Sequence, residues 1–190
     1  DEVDGYPLDV EGEGDAISLA EARTRTFARR KIFIVSTPTI AGASAIEREY
    51  EASDQRRYFV PCPHCNHPQW LRFEQLRWDK GQPETAAYVC ESCDTAISEH
   101  HKTWMLERGE WRSMARGKTA GFHLSSLYSP VGWRSWRDIA AAWEAAVNKE
   151  SGSAAAIKTF KNTELGETWV EEGEAPDWQR LLERREDYRV

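Results

Sequence analysis

The chain has 190 residues, of which 40% are hydrophobic and 30% are charged, and its formal net charge is −7 at pH 7. This composition supports a packed core and excludes a chain that is disordered throughout, and without a run of 18 apolar residues it predicts no membrane-spanning helix. The acidic balance excludes a protein that coats nucleic acid with its whole surface, although a local basic patch is compatible with it.

Residues 1–55 are predicted to alternate strands with helices. The acidic, glycine-rich residues 1–15 are interpreted as a strand end that runs into a loop. A capping box of Ser18 and Glu21 predicts a helix, in which Ile17, Ala20, Thr24 and Phe27 recur at helical spacing. The apolar run "KIFIVSTP", residues 31–38, predicts a buried strand that stops at Pro38. A second capping box, Ser44 with Glu47, predicts a helix to about Ser53, so the stretch indicates an α/β sheet.

Residues 56–118 contain short predicted strands and all four cysteines, in the pattern CxxC-x24-CxxC. The four cysteines are Cys62, Cys65, Cys90 and Cys93. Two CxxC turns can supply four thiolates to one tetrahedral Zn²⁺, which leaves no open position and predicts a structural zinc ribbon. A site of three cysteines and one histidine stays open, since His64 and His67 flank Cys65. The other alternative is two disulfide or redox pairs, for which the surrounding thioredoxin-like pattern is absent.

The rest of the chain is predicted to be mostly helical. A helix up to Gly109 is followed by a short strand around Trp111, and "GFHLSSLYSP" predicts a further strand. Ser135 and Asp138 predict the start of a helix, a second helix runs from about Ser153 to near Gly166, and a third begins at Pro176. Trp133, Trp136 and Trp143 are predicted to bury one stripe of a helix.

Two pairs of polar residues follow predicted strands in the first 40 positions. Asp1 and Glu2 are an acidic pair at a strand end, and Ser36 and Thr37 end the next predicted strand. In one class of P-loop ATPases, such an Asp holds Mg²⁺ on the nucleotide, the adjacent Glu polarises the attacking water, and the hydroxyl residues sense the γ-phosphate. The spacing therefore makes an ATPase site one hypothesis for this stretch.

The chain resembles the large terminase subunit of tailed phages, the lambda-like GpA family. The resemblance covers nearly the whole chain and rests on the segments "DEVDGYP", "LAEARTRTF", "RRKIFIVSTPT", "DQRRYFVPCPHCNHPQWL", "GFHLSSLYSP" and "FKNTELGETW". It implies an ATP-driven motor that packages viral DNA into a procapsid, with an N-terminal ATPase and a C-terminal nuclease. The implied fold is α/β, the C-terminal part of a P-loop ATPase sheet with an inserted four-cysteine zinc ribbon and a helical lid or linker.

The resemblance assigns roles residue by residue. Asp1 and Glu2 match the Mg²⁺-binding and catalytic acids of the Walker B motif, Ser36, Thr37 and Pro38 match the coupling motif, and the cysteines match a zinc-ribbon insertion. Residues 1–55 then form part of the ATPase core, 56–118 the zinc ribbon, and 119–190 a returning strand and helical lid or linker towards a nuclease domain. The implied cofactors are structural Zn²⁺, Mg²⁺ and ATP. The implied partners are double-stranded viral DNA, the small terminase subunit, the portal or procapsid and other copies of the chain, in the host cytoplasm.

The departures from the family pattern lead to a second expectation. The phosphate-binding pattern G-x-x-x-x-G-K-[ST] does not occur in the sequence. It is expected upstream of Asp1, and the nuclease acids are expected downstream of Val190. The 190 residues are therefore interpreted as a central stretch that by itself neither binds ATP tightly nor cuts DNA.

Two other functions remain as alternatives. A superfamily-2 helicase fragment shares the acidic strand end and the S-x-T element, but no Gln-x-x-Gly-Arg-x-x-Arg element follows. A zinc-ribbon module that binds nucleic acid without catalysis explains the cysteines alone.

The basic run Arg23 to Lys31 is interpreted as a solvated helix face or, alternatively, as a surface for DNA or an arginine finger. Trp70, Phe73 and Trp78 are interpreted as core residues of the small module, with base stacking as the alternative.

Overall fold

The computed structural model of the chain describes residues 1–7, 9–148, 150 and 152–171, and in these ranges the protein has a mixed α/β architecture. The strands are β1 Arg56–Pro61, β2 Pro68–Trp70, β3 Leu76–Asp79, β4 Gln82–Val89, β5 Ala96–Ile97, β6 Glu110–Arg112 and β7 Phe122–His123. The α-helices are α1 Ala16–Thr24, α2 Ala45–Glu51, α3 Lys102–Glu107, α4 Trp136–Val147 and α5 Ala154–Phe160. The predicted helix from Pro176 lies outside the described residues.

The strands form two small sheets in the middle of the chain. In the first sheet β1 pairs antiparallel with β2 and with β6, and its first residues also pair in parallel with β7. The second sheet has the order β3-β4-β5, with both pairs antiparallel. The CxxC turns connect β1 to β2 and β4 to β5, so each sheet carries one pair of cysteines.

The core is built from both sheets and from α3, α4 and α5. Trp136 of α4 is fully buried, and its ring lies 5.8 Å from that of Tyr88 in β4. Phe160 of α5 packs against Phe73 and Trp143 at ring distances of 5.1 Å. Phe73 also contacts Trp78. Phe73 and Trp78 therefore serve packing, which confirms the core interpretation for these two aromatics.

The helix caps predicted for the second half of the chain are present. The Ser135 hydroxyl accepts from the Asp138 N–H, and the Asp138 carboxylate accepts from the Ser135 N–H, which completes a capping box. The helical turn after α5 ends at Gly166 in the left-handed conformation. Trp133 does not share the predicted stripe, because it precedes the N-cap and its side chain is 82% exposed.

A buried tyrosine holds the first sheet to the segment that follows it. The Tyr128 hydroxyl accepts a hydrogen bond from the Leu71 N–H at 2.6 Å and donates to the Tyr58 carbonyl at 2.7 Å. Burial raises the pKa of this hydroxyl above its ordinary value, so it stays protonated and able to donate. Two backbone groups therefore depend on one side-chain oxygen.

Tyr128→Phe is expected to lower the free energy of unfolding by about 1–3 kcal/mol, because a buried N–H and a buried carbonyl lose their partner. Equilibrium urea unfolding followed by tryptophan fluorescence measures the change. The control is Tyr6→Phe, since the Tyr6 side chain is about half exposed. Equal unfolding midpoints for Tyr128→Phe and the unchanged protein would contradict the bridging role.

The N-terminal third differs most from the sequence-based expectation. Among residues 1–7 and 9–55 no strand is assigned, and Ile40 forms only an isolated bridge with Trp169. The predicted strand end at the start is instead a 3₁₀ turn, Val3–Gly5. The predicted strand at residues 31–38 has no paired neighbour in the described part of the chain, and Phe33 is 84% exposed. An apolar run forms a strand only where another strand offers its edge, so this prediction is wrong for the observed structure.

The first helix also begins earlier than predicted and buries no face. Its N-cap is Asp15, whose carboxylate accepts from the N–H groups of Ile17 and Ser18. No residue of α1 is buried, and Phe27 lies beyond its end with 65% of its surface exposed. By contrast, α2 starts as predicted, with the Ser44 hydroxyl accepting from the Glu47 N–H. None of the described helices is long and apolar enough to cross a membrane.

Candidate metal centre and acidic N-terminal site

The four cysteines converge on one point between the two sheets. Their sulfur atoms all lie within 4.8 Å of one another, with Cys62 Sγ 3.9 Å from Cys93 Sγ and Cys65 Sγ 3.7 Å from Cys90 Sγ. All four thiols are free, and the short distances join the two CxxC pairs crosswise. Within the described ranges this is the one cluster of three or more His, Cys, Asp or Glu side chains close enough to share a metal ion.

The two CxxC turns have the same local structure. In the first, Asn66 N–H donates to the Cys62 carbonyl and Cys62 N–H donates to the His67 carbonyl. In the second, Asp94 N–H donates to the Cys90 carbonyl and Cys90 N–H donates to the Thr95 carbonyl. The residue after the second cysteine has a left-handed backbone in both turns, φ 61° at Asn66 and 53° at Asp94, a conformation that Asn and Asp tolerate best after glycine. The turns therefore present their sulfurs as related pairs.

The environment of the sulfurs fits a bound cation. In a tetrahedral site with metal–sulfur bonds of about 2.3 Å, the sulfurs lie about 3.8 Å apart, close to the two crosswise distances. The backbone N–H groups of His64 and Ser92 point at the sulfurs of Cys62 and Cys90, at 3.5 and 3.4 Å, and stabilise thiolates. Without a metal, burial raises the pKa of Cys90 to about 12, whereas hydrogen bonds from Thr95 lower that of Cys93 to about 6.

Polar contacts outside the sulfur cluster tie the two turns together. The Glu91 carboxylate binds His67 Nε2 at 3.0 Å and the Arg72 guanidinium at 2.6 Å. The buried Gln69 side chain accepts from the Glu91 N–H at 3.0 Å. His67 is thus occupied by a carboxylate and, like His64, is not part of the four-sulfur cluster. The alternative of a three-cysteine, one-histidine site is not favoured by this geometry.

The N-terminal candidate residues occupy the surface beside α2. Asp1 and Glu2 are exposed, and Glu2 has a left-handed backbone with φ 53°. Such a conformation is strained for a residue with a side chain, and Glu11 shares it with φ 54°, so the backbone alone does not single out Glu2. Ser36 and Thr37 are half-buried, and the Ser36 hydroxyl donates to the Thr37 carbonyl at 3.2 Å.

Asp4, for which the sequence pattern predicted no role, joins the two predicted segments. Its N–H donates to Ser36 Oγ at 3.1 Å, and its carboxylate accepts from Thr39 Oγ1 and from the Ile46 N–H, each at 2.8 Å. The acidic start of the chain is thereby held against residues 36–39 and the first turn of α2. A third acidic residue next to Asp1 and Glu2 was the available signal, but nothing in the sequence specified partners 32 to 42 positions away.

The basic run from Arg23 to Lys31 is solvated in the structure. Arg23, Arg25, Arg29, Arg30 and Lys31 are all exposed. This agrees with a solvated surface, but the predicted helix face is wrong for all of these bases except Arg23, because α1 ends at Thr24. The DNA and arginine-finger alternatives stay untested.

One largely buried histidine is expected to make the stability of the fold depend on pH. His123 Nε2 donates to the Gly166 carbonyl at 3.0 Å, which joins β7 to the end of the last helical turn. Burial lowers the pKa of His123 to about 4, and repulsion from the Arg57 charge makes a smaller contribution to this shift. In the unfolded chain a histidine titrates near 6.5, so between pH 6.5 and 4 the unfolded state binds more protons than the folded state.

Stability should therefore fall as the pH is lowered from about 6.5 to 4, and His123 should account for up to about 3 kcal/mol of that loss. His123→Gln keeps a donor for the Gly166 carbonyl but does not titrate. Its unfolding free energy is expected to change less than that of the unchanged protein over this range, as measured by urea unfolding at pH 7 and 4.5. Parallel pH profiles for the two proteins would show that His123 is not the titrating group.

Comparison with known proteins gives the same family at both ends of the chain. Residues 1–111 match the family model described as phage terminase large subunit gpA, ATPase domain, and residues 119–190 match that of the terminase large subunit gpA, endonuclease domain. The second segment was expected to lead towards a nuclease domain, and it matches the model of that domain itself. How the chain divides into domains stays a prediction.

Two phage proteins are similar to nearly the whole chain. The terminase large subunit of Enterobacteria phage P21 is 33% identical over 210 residues, covering 97% of this chain and 32% of that protein. The terminase large subunit of Escherichia phage lambda is 31% identical over 214 residues, covering 99% of this chain and 32% of that protein. The chain spans about a third of the length of these curated relatives. No solved structure matches it.

Proposed function

Because the chain belongs to the gpA family of phage terminase large subunits, we propose that it contributes to the ATP-driven motor that packages double-stranded phage DNA. The observation that carries this proposal is the contact of Asp4 with Ser36, which holds the acidic segment "DEVD" beside the Ser-Thr segment. An ATPase of this class needs those two elements next to each other, because one acts on the nucleotide and the other responds to it. A helicase would also place these two elements together, and it is the match to the gpA models that favours a terminase. A non-catalytic zinc module does not account for the contact.

The residue roles follow from the chemistry of phosphoryl transfer. Asp1 is the residue of this chain that would hold Mg²⁺, which would neutralise negative charge on the phosphates of ATP. Glu2 orients and polarises the attacking water with its carboxylate. The hydroxyls of Ser36 and Thr37 respond to the loss of the γ-phosphate, and the bond of Ser36 to Asp4 links that response to the acidic segment.

The four cysteines are assigned to a structural Zn²⁺. Four thiolates in a closed set bind zinc without leaving a position for water or substrate, so the ion holds the two sheets and does no chemistry. The short strands beside the turns bury little surface by themselves, and metal binding supplies much of their folding free energy. We assign the zinc ribbon to residues 56–118 as part of this proposal.

The partners follow from the motor function. They are the viral DNA, the small terminase subunit, the portal of the procapsid and further copies of the same chain, in the cytoplasm of the host cell. The complete enzyme is proposed to cut concatemeric DNA as well as to hydrolyse ATP. The test is ATP turnover by a full-length terminase large subunit carrying this segment, which should depend on Mg²⁺ and on the acidic pair. Turnover that survives replacement of both Asp1 and Glu2 would contradict the proposal.

A further inference from the structure

One side of the first sheet does not face the core. Alternate residues of β1 point to opposite sides, and Tyr58 and Val60 point into the core while Arg57 and Phe59 point away from it. The register places Trp70 of β2 opposite Phe59 and Arg112 of β6 opposite Arg57, so all four lie on the same side. We call this side, with Arg72, the outer face. None of its five residues belongs to the core cluster.

The outer face interleaves aromatic rings with guanidinium groups. Arg57 lies 4.7 Å above the Trp70 ring and 5.4 Å from the ring of Tyr50, which closes one end of the face. Arg72 lies 5.6 Å from the Trp70 ring, and Arg112 lies 4.8 Å above the Phe59 ring. The rings of Trp70 and Phe59 are half-buried. The three arginines lie over these rings and cover part of their surface.

The charge around the outer face is opposite to that of the chain. Arg72 and Arg112 pair with Glu91 and Glu110, whereas no described carboxylate forms a salt bridge with Arg57. Burial raises the pKa of the Glu167 carboxyl, and Arg57 is close enough for its charge to oppose that shift. The loop between β6 and β7 packs at the beginning of β1 and contains Arg116 and Lys118, and residues 111–137 contain no Asp or Glu. The chain as a whole has a net charge of −7, so this concentration of bases is local and favours a polyanion.

The basic loop is held at the sheet by Asp54. The Asp54 carboxylate is buried, and it accepts from Arg56 Nε at 2.8 Å and from the Gly121 N–H at 3.1 Å. The Asp54 carbonyl accepts from the N–H groups of Met114 and Ala115. Gly117 packs so closely that a Cβ there would lie 2.4 Å from the Ser53 carbonyl carbon. The loop therefore has a fixed place at the beginning of β1.

We propose that the outer face binds single-stranded DNA, with bases stacked on Trp70 and Phe59 and phosphates paired with Arg57, Arg72 and Arg112. Four residues of the outer face are half-buried and Arg112 is exposed, so the face is partly accessible. A sheet face with spaced rings and arginines suits unpaired bases, whose flat faces are available, better than the buried bases of a duplex. A base that stacks on a ring replaces the guanidinium there, which then pairs with a phosphate. The choice of DNA rests on the proposed packaging function, whereas the stacking argument does not require ATP hydrolysis.

The experiment is fluorescence anisotropy of a labelled 20-nucleotide oligothymidine with the metal-loaded 190-residue chain, without ATP. Trp70→Ala is expected to weaken binding about 5- to 150-fold, from the loss of one stacked base. Arg57→Gln should weaken it less and reduce its dependence on salt. The control is Trp133→Ala, since Trp133 is 82% exposed and lies outside the outer face. A circular dichroism spectrum of each variant establishes that it is folded.

Three results would overturn the proposal: no binding of oligothymidine, equal weakening by Trp70→Ala and Trp133→Ala, or preference for a duplex of the same length with no effect of Trp70→Ala. The assay contains no ATP, so a failure to bind oligothymidine leaves the ATPase proposal intact. Conversely, ATP turnover that survives replacement of Asp1 and Glu2 in a full-length protein would contradict the ATPase proposal without altering the binding expected here. The two proposals therefore fail in different measurements.

Discussion

Glu2→Gln in a full-length terminase carrying this segment is expected to lower ATP turnover by about 100- to 10,000-fold, the range that a general base contributes. Glutamine has the size of glutamate but its amide does not accept a proton from the attacking water. ATP binding should persist, because the proposed Mg²⁺ ligand, Asp1, is unchanged. Steady-state phosphate release and a nucleotide-binding assay together separate loss of chemistry from loss of binding.

The matched control for this variant is Glu11→Gln. Glu11 is exposed and has φ 54°, almost the same backbone conformation as Glu2 with φ 53°. The two substitutions therefore remove the same charge from the same kind of backbone position, and Glu11→Gln should leave turnover unchanged. Similar turnover in the two variants would remove Glu2 from the catalytic role.

Cys90→Ser is expected to unfold residues 56–118 as a unit. Structural zinc sites in small modules have apparent binding free energies of about 10–16 kcal/mol, comparable to the whole stability of a domain, so the loss of one ligand has a large effect. Cys90 is fully buried, and a serine hydroxyl there is a poor zinc ligand in an apolar place. The expected readouts are loss of the near-ultraviolet circular dichroism signal and rapid proteolysis within this segment.

Ser92→Ala is the control for the cysteine substitution. Ser92 lies between the two cysteines of the second turn, is exposed, and contributes its backbone N–H to Cys90 Sγ. Alanine keeps that N–H, so the variant should bind metal and unfold like the unchanged protein. If the urea concentration at the unfolding midpoint is the same for Cys90→Ser and for the unchanged protein, the metal does not stabilise the module.

The features that the sequence predicted well are those set by short-range chemistry. The CxxC spacing predicted the convergence of four cysteines, and the pairs Ser44–Glu47 and Ser135–Asp138 predicted two helix starts, because each depends on groups within a few residues. The ending of the last helical turn at Gly166 followed from the conformational freedom of glycine.

The features that the sequence did not predict depend on distant partners. The run at residues 31–38 has the composition of a buried strand, but strand formation requires a neighbouring edge that the described residues do not supply. The N-cap of α1 is Asp15 and not Ser18, because the Asp15 carboxylate accepts hydrogen bonds from two backbone N–H groups. Trp133 fitted a spacing rule but lies before the helix begins. The contacts of Asp4 join residues up to 42 positions apart, beyond any local pattern.

The binding of one ion by four thiolates is the claim on which the stability of the middle segment and the position of both sheets depend. It is tested most directly by measuring zinc per chain in the purified protein, together with the reactivity of its four thiols. We expect one zinc per chain and thiols that react with a disulfide reagent only after chelation or unfolding. A metal-free folded chain whose thiols react freely, or whose mass shows two disulfides, would contradict it.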